Sequence, residues 1–219
     1  MKTMKQLSST IACIAVAAIV AGCASSGYQK GNKTAEDIQT AANEIDKVST
    51  QIDSTIKAMN ALVETPQADL VPQFKEFSSS LADLKSAADK VVSLRATMAE
   101  NGKAFLEQWD QQLAAIKNED IKARSQARKE EVSKALTSIK ASYAEAASAF
   151  KPFMSELQDV QKYLSVDLTK GGIDAIKEPA AKAVAQSATV KEAIAKLSGE
   201  FRSLGLAMSS SAPAQQQAQ

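Results

Sequence analysis

The chain has 219 residues, with 26 Lys or Arg against 25 Asp or Glu, and it contains no His. Because His is absent, the Ser-His-Asp and Cys-His catalytic arrangements and most transition-metal sites are excluded, and the balanced charge disfavours binding to nucleic acid. The chain has only eight Gly and five Pro and is rich in Ala, Lys, Glu, Gln and Leu, so we predict an all-α protein. From the absence of His we expect that it is not an enzyme and binds no metal or cofactor.

Residues 1–22 have the pattern of a secretory signal peptide. Lys2 and Lys5 precede an apolar run from Ile11 to Ala21, which is shorter than the roughly 20 apolar residues that a membrane-spanning helix needs. This stretch is completed by Val20-Ala21-Gly22-Cys23, which resembles the lipobox of bacterial lipoprotein signals. The resemblance implies cleavage before Cys23 and attachment of a lipid to its thiol, whereas the alternative interpretation is a transmembrane helix that is retained.

Lipidation at Cys23 would tether the mature protein to a membrane of the bacterial cell envelope. We expect the outer membrane, with the protein facing the periplasm, because Ala24 and Ser25 follow Cys23. In enteric bacteria an Asp directly after the lipidated Cys retains lipoproteins in the inner membrane. Residues 23–33 are small and polar, and we predict that they form the lipidated tether.

Four helical segments are predicted within a bundle domain of residues 34–208. The first runs from about Ala35 to Val63, with Thr34 as its N-cap. Its apolar residues repeat every seven positions, with a companion stripe three positions later, which is the pattern of a coiled coil or slender bundle. The two stripes comprise Ile38, Ile45, Ile52, Met59, Ala41, Val48 and Leu62, with Thr55 as the polar exception.

The second and third segments are the longest and are joined by a very short turn. The second runs from about Leu70 to Lys117, with Asp69 as its cap and Pro72 in its first turn. The third runs from about Glu119 to Leu164 and is capped by Asn118. Together they are expected to form a long antiparallel hairpin.

Several residues depart from the regular pattern. Arg95 and Gly102 interrupt an apolar stripe of the second segment, and Pro152 is expected to kink the third. We interpret Arg95 as a residue that fixes register or forms an ion pair, the alternative being contact with an anionic ligand inside the bundle. The fourth segment, about 173–208, follows Gly171-Gly172, and residues 209–219 are predicted to be disordered.

Short connections favour antiparallel neighbours, so we predict an elongated antiparallel bundle of four segments with the long hairpin at its centre. The turn end of the hairpin, residues 100–130, is expected to project as a two-helix arm. The first segment would start beside the middle of the second, which would place Cys23 on the same side of the bundle as the turn near Asn118. The residues expected to be buried together are Phe77, Leu81, Leu84, Leu136, Tyr143, Phe150 and Leu157.

Two stretches of the chain are similar to a bacterial family catalogued as domain of unknown function 2959. The first, Phe105 to Val132, carries an aromatic residue, an acid-flanked Trp, a Leu, a turn, and a run with Lys, Ser and Arg. The matching residues are Phe105, Trp109, Leu113, Ile121, Lys122, Ser125 and Arg128. The second stretch is Pro152 to Ile176, whose SVDLTKGG portion departs from the family pattern. The resemblance covers about residues 66–205, and it implies an all-helical envelope protein without supplying a mechanism.

Two features of the arm are candidates for contact with a membrane or a partner. Trp109, the only Trp, suits a boundary between water and an apolar phase, although its place on the apolar stripe is also typical of core packing. A basic cluster follows the turn, and its alternative interpretation is neutralisation by the acidic residues that flank it. The cluster comprises Lys122, Arg124, Arg128 and Lys129.

The sequence therefore predicts a lipid-anchored scaffold or adaptor of the envelope. Its partners would be the membrane, through the lipid on Cys23, and a protein that the sequence does not identify. The sequence does not determine the oligomeric state. The alternative function is an amphipathic bundle that binds lipids or other hydrophobic molecules. A binding protein of that kind would expose apolar residues or enclose a cavity, whereas a scaffold would have a narrow, dry seam.

Overall fold

A computed structural model describes residues 27–209 of the chain. The predicted signal peptide, Cys23 and the tail from residue 210 lie outside the described residues. Five helices occupy this range: α1 (Gly27–Glu64), α2 (Val71–Ala115), α3 (Glu119–Leu164), α4 (Lys170–Ala175) and α5 (Lys177–Met208). No strand occurs between residues 27 and 209, and the helices pack against one another, which confirms the all-α bundle.

Side chains that bond to free backbone N–H groups mark where two of the helices begin. The Asn118 side chain accepts a hydrogen bond from the Ile121 N–H at 3.1 Å, so α3 begins at the predicted cap. Thr169 accepts from the Gly172 N–H at 3.2 Å and caps α4. Leu70 occupies the N-cap position of α2, but the side chain of the predicted Asp69 accepts a hydrogen bond from the Val71 N–H at 3.0 Å, and Pro72 lies in the first turn as expected.

The first helix is longer than predicted. It begins at Gly27, so Thr34 lies inside it and residues 27–33 are helical instead of forming a tether. Packing explains the extension, because Gly31 and Ala35 are both buried. The two glycines of this stretch disfavour helix by only about 1 kcal/mol each, which tertiary contacts can override.

The fourth predicted segment is divided into two helices. The short α4 ends at Ala175, and α5 begins at Lys177 with Pro179 in its first turn. Pro179 has no N–H to bond to the carbonyl one turn earlier, so a continuous helix is disfavoured there. By contrast, α3 runs through Pro152 without interruption, and the kink expected at that residue stays a prediction.

The predicted antiparallel hairpin of α2 and α3 is present, but most of the core lies where α1 packs on α2 and α5 and where α3 packs on α5. Helix α1 packs extensively on both α5 and α2, and α3 packs on α5, whereas α2 and α3 have much less contact with each other. Of the residues expected to be buried together, Leu136, Tyr143 and Phe150 are only half-buried. The reason is that the apolar stripes of α2 and α3 are covered mainly by α1 and α5.

The apolar stripes predicted for the first helix are confirmed, since every member is buried in the core of the bundle. Thr55, the polar exception, is completely buried as well. Its hydroxyl lies 2.7 Å from the Gln51 carbonyl oxygen and 3.0 Å from that of Ser80 on α2. A buried hydroxyl costs free energy unless it is hydrogen-bonded, so these bonds explain how the core accepts it.

An ion pair between α1 and α2 marks the antiparallel register of these two helices. Glu44 of α1 lies 2.7 Å from the Lys47 ammonium and 2.9 Å from the Lys90 ammonium of α2. Hydrogen bonds from Lys47 and Lys90 lower the pKa of Glu44 below its ordinary value. Because the folded-state pKa is lowered, the carboxylate stabilises the fold above the ordinary pKa of glutamate, and this contribution is lost as the pH falls through the lowered pKa.

The register places the start of α1 near Trp109 of α2. Thr55 lies opposite Ser80, and Glu44 opposite Lys90, so the first turn of α1 falls at the level of Trp109. Helix α5 ends at the same level, because Arg128 of α3 bonds to the last turn of α5. The two-helix arm is therefore limited to about two turns, roughly 10 Å, and the prediction of an arm over residues 100–130 is wrong.

Candidate functional site

Trp109 lies at the base of the arm, between its two helices. The indole N–H donates a hydrogen bond of 2.9 Å to the Ser125 hydroxyl of α3. The Phe105 ring meets the Trp109 ring edge-on, with centroids 5.5 Å apart. Further toward the turn, Leu113 is buried outside the main core. Trp109 thus packs α2 against α3, and the half-buried ring leaves only part of its surface to solvent.

The basic cluster does not form a single patch. Lys129 faces α2, where its ammonium group forms an ion pair with Asp110. Lys122 lies on the same face, with its ammonium 4.0 Å from Glu119. Arg124 is exposed and lies on a different face of α3. Acidic neighbours therefore balance both lysines, and Arg124 presents its charge to solvent.

Arg128 holds the end of α5. Its guanidinium donates one hydrogen bond of 2.6 Å to the Ala207 carbonyl oxygen and another of 2.6 Å to Glu131. The last carbonyl groups of a helix lack partners inside the helix, and a positive charge near them interacts favourably with the helix dipole. Arg128 is thus a structural link between the arm and α5.

A cleft that the sequence did not predict lies between α2 and α3. Its upper section, nearer the arm, has a volume of about 530 Å³. A lower section of about 190 Å³ continues along the same two helices. Helices α1 and α5 form the floor, through residues such as Ile45, Ile194, Phe201 and Leu204. The cleft exists because α2 and α3 pack on α1 and α5 more than on each other.

The departures from the apolar stripe of α2 lie in this cleft. The Arg95 guanidinium carbon is 4.6 Å from the centre of the Tyr143 ring on α3, which is a cation–π contact. Gly102 is buried and faces Leu136 of α3. The two residues that interrupt the apolar stripe of α2 are therefore points where α2 and α3 contact each other across the cleft.

A second groove lies between α3 and α5 and has a volume of about 510 Å³. One carboxylate oxygen of Glu200 accepts hydrogen bonds from Ser138 at 3.1 Å and Ser142 at 2.9 Å. The other carboxylate oxygen is buried without a hydrogen-bond partner. No sequence signal marks these three residues, because scattered Ser and Glu on helices are usually solvated.

Two properties of the described range bear on membranes and metals. No helix within residues 27–209 is long and apolar enough to span a bilayer. In the same range, no group of three or more acidic or thiol side chains is arranged to hold a metal ion.

Comparison with known proteins gives one match. The sequence model of a family described as protein of unknown function (DUF2959) matches residues 21–203. The chain belongs to this family. No curated protein and no solved structure is significantly similar to it.

The DUF2959 match confirms the resemblance and extends it over α1. Most of the residues that suggested the family make contacts within the arm or at its base, notably Phe105, Trp109, Ser125 and Arg128. Ile121, by contrast, is 55% exposed. Phe105, Trp109, Ser125 and Arg128 therefore help to join the two longest helices to each other and to α5.

Proposed function

We propose that this DUF2959 protein is a lipid-anchored scaffold or adaptor of the bacterial cell envelope, facing the periplasm and held by a lipid on Cys23. The observation that supports this proposal is the position of α1, which begins at Gly27, close to Cys23 in sequence, and at the arm end of the bundle. An anchor at Cys23 would hold the arm near the membrane. The bundle, roughly 70 Å long for the 45 residues of α2, would extend away from it.

A tethered rod of this kind suits a scaffold because it presents a long, charged surface at a fixed distance from the membrane. Interhelical ion pairs stiffen that surface, including Lys191 with Asp53 and Lys196 with Glu145, each at 2.6 Å. A protein partner would bind along the helices or at the arm, where Arg124 is exposed. The outer membrane is the expected location.

The second candidate function is binding of lipids or other hydrophobic molecules. The observation that favours it is the cleft between α2 and α3, which is lined mainly by apolar residues. A scaffold needs no ligand in this cleft, whereas a hydrophobe-binding protein does.

Replacement of Cys23 by Ser is expected to abolish lipidation. The proposed lipid is attached through the Cys23 thiol, and Ser preserves the size of the side chain. Metabolic labelling with a palmitate analogue should mark the wild type and leave Cys23→Ser unlabelled. Cys13→Ser is the control and should be labelled like the wild type. Equal labelling of wild type and Cys23→Ser would refute the anchor.

The arm is expected to lie near the membrane when the lipidated protein is bound to liposomes. Because Trp109 is at the base of the arm, quenchers carried on the lipids should reduce its fluorescence. A label at the turn, introduced by Lys117→Cys, should be quenched more strongly.

A label at the opposite end of the bundle, introduced by Ala68→Cys, is the matched control and should not be quenched. Both positions are exposed in connections between helices, so neither substitution removes a buried contact. Equal quenching at residues 68 and 117 would mean that the bundle lies flat, and the proposed orientation would then be wrong.

A further inference from the structure

The two sections of the α2–α3 cleft lie end to end along the helices. Tyr143 lines both of them, so they adjoin at the Arg95–Tyr143 contact. Along α2 the cleft extends from Leu106 down to Ala88. At a rise of 1.5 Å per residue, this distance is about 27 Å.

The walls and floor of the upper section are largely apolar. Met98 and Leu106 of α2 face Leu136 and Ile139 of α3, and all four are half-buried. Phe201 and Leu204 of α5 are buried beneath them. A volume of about 530 Å³ lies within the range of about 300–1,000 Å³ that is usual for small-ligand sites. Burial of these side chains by a ligand would stabilise the complex through the hydrophobic effect.

The rim of the upper section is basic. Arg95, Lys103 and Lys140 line it, and no carboxylate is among its lining residues. The salt bridges of residues 27–209 leave Arg95 and Lys140 without an acidic partner, and Lys103 lies 3.8 Å from Glu107. The lower section has one acidic residue, Asp89, which is paired with Lys85 at 2.6 Å. An anionic head group is therefore complementary to the upper rim.

The width of the cleft favours a thin chain over a helix. Arg95 contacts Tyr143 across it, and Leu136 packs on Gly102, so α2 and α3 remain close at both points. A helix with its side chains is about 10–12 Å across, which these contacts do not admit. An acyl chain is much thinner, and its length, about 15 Å or half of a bilayer hydrocarbon core, fits the cleft.

We propose that the cleft between α2 and α3 binds a long-chain carboxylate, a single-chain anionic amphiphile. Its acyl chain lies on the apolar floor made by α5 and α1, and its carboxylate meets Arg95, Lys103 and Lys140. The proposal deepens the second candidate function and does not depend on the anchor at Cys23.

The test is binding of a fluorescent polyunsaturated fatty acid, cis-parinaric acid, to the full chain carrying Cys23→Ser. This substitution removes the proposed attachment site, so no acyl chain of the protein itself competes. We expect saturable binding that palmitate displaces. Ala99→Trp fills the upper section from its exposed wall and should weaken binding about tenfold or more, while its matched control on α2, Ala96→Trp, should have little effect. Thr137→Trp fills the same section from α3 and should act like Ala99→Trp.

The charge of the rim is tested separately. The double variant Lys103→Gln/Lys140→Gln should raise the dissociation constant of cis-parinaric acid and the inhibition constant of palmitate several-fold, because both are carboxylates, and leave the inhibition constant of hexadecanol unchanged. Its matched control, Lys57→Gln/Lys75→Gln, replaces two exposed lysines outside the cleft and should behave like the parent. An unchanged melting temperature for each variant shows that the fold is retained.

Three outcomes would overturn the proposal. The first is the absence of saturable binding. The second is equal weakening by Ala96→Trp and Ala99→Trp, which would place the probe elsewhere. The third is equal weakening of palmitate binding by Lys57→Gln/Lys75→Gln and by Lys103→Gln/Lys140→Gln, which would mean that the rim does not recognise the carboxylate. None of these outcomes bears on lipidation of Cys23, which the labelling experiment measures.

Discussion

Replacement of Leu157 by Ala is expected to lower the free energy of unfolding by about 2–5 kcal/mol. Leu157 of α3 is completely buried in the core, so its removal leaves a cavity that the helices cannot fully close. Leu84 of α2 is also completely buried, and Leu84→Ala should have an effect of the same size. Chemical denaturation followed by circular dichroism measures both changes.

The matched control is Leu206→Ala on α5. Leu206 is 50% exposed, so its truncation should change the free energy of unfolding by less than about 0.5 kcal/mol. If Leu157→Ala and Leu84→Ala unfold at the same denaturant concentration as the wild type, these residues do not lie in the core, and the packing of α2 and α3 on α1 and α5 is wrong.

Replacement of Gly172 by Ala is expected to destabilise the corner between α3 and α5. A Cβ atom at Gly172 would lie 2.0 Å from the backbone carbonyl oxygen of Asp167, which is far inside van der Waals contact. Because the clash involves backbone, the loop after α3 would have to move. Overpacking of this kind costs about 1–3 kcal/mol, occasionally more, and we expect the upper part of that range.

Gly199→Ala is the matched control and should act in the opposite direction. A Cβ atom at Gly199 meets no atom within 4 Å, and the residue lies inside α5. Ala restricts the unfolded chain and favours helix, so a gain of about 0.5–1 kcal/mol is expected. Equal free energies of unfolding for Gly172→Ala and the wild type would show that the backbone at Asp167 can move without destabilising the fold.

Local signals in the sequence determined most of the secondary structure. The heptad stripe from Ile38 to Leu62 predicted a helix with one buried face, and that face is buried in the structure. Asn118 predicted the start of α3, because its side chain can accept a hydrogen bond from a free N–H three residues later. Both predictions hold because periodicity and capping depend only on residues close together in the chain.

The start of α1 could not be predicted from local signals. Thr34 is a good capping residue, and Gly27 and Gly31 disfavour helix, so the sequence placed the boundary too late. Burial of Gly31 and Ala35 in the bundle reversed that preference. As a result the arm is shorter than predicted, and Trp109 lies at its base.

The tertiary structure alone decided which helix covers each apolar face. Apolar periodicity identifies a face but not the helix that packs on it, and the short turn at Asn118 suggested that α2 and α3 cover each other. In the structure α1 and α5 cover most of those faces, which leaves the cleft between α2 and α3. The basic cluster is divided as well, because Arg128 bonds to α5 and Lys129 pairs with α2. The sequence thus determined the helices and their apolar faces, whereas long-range packing determined the candidate binding site.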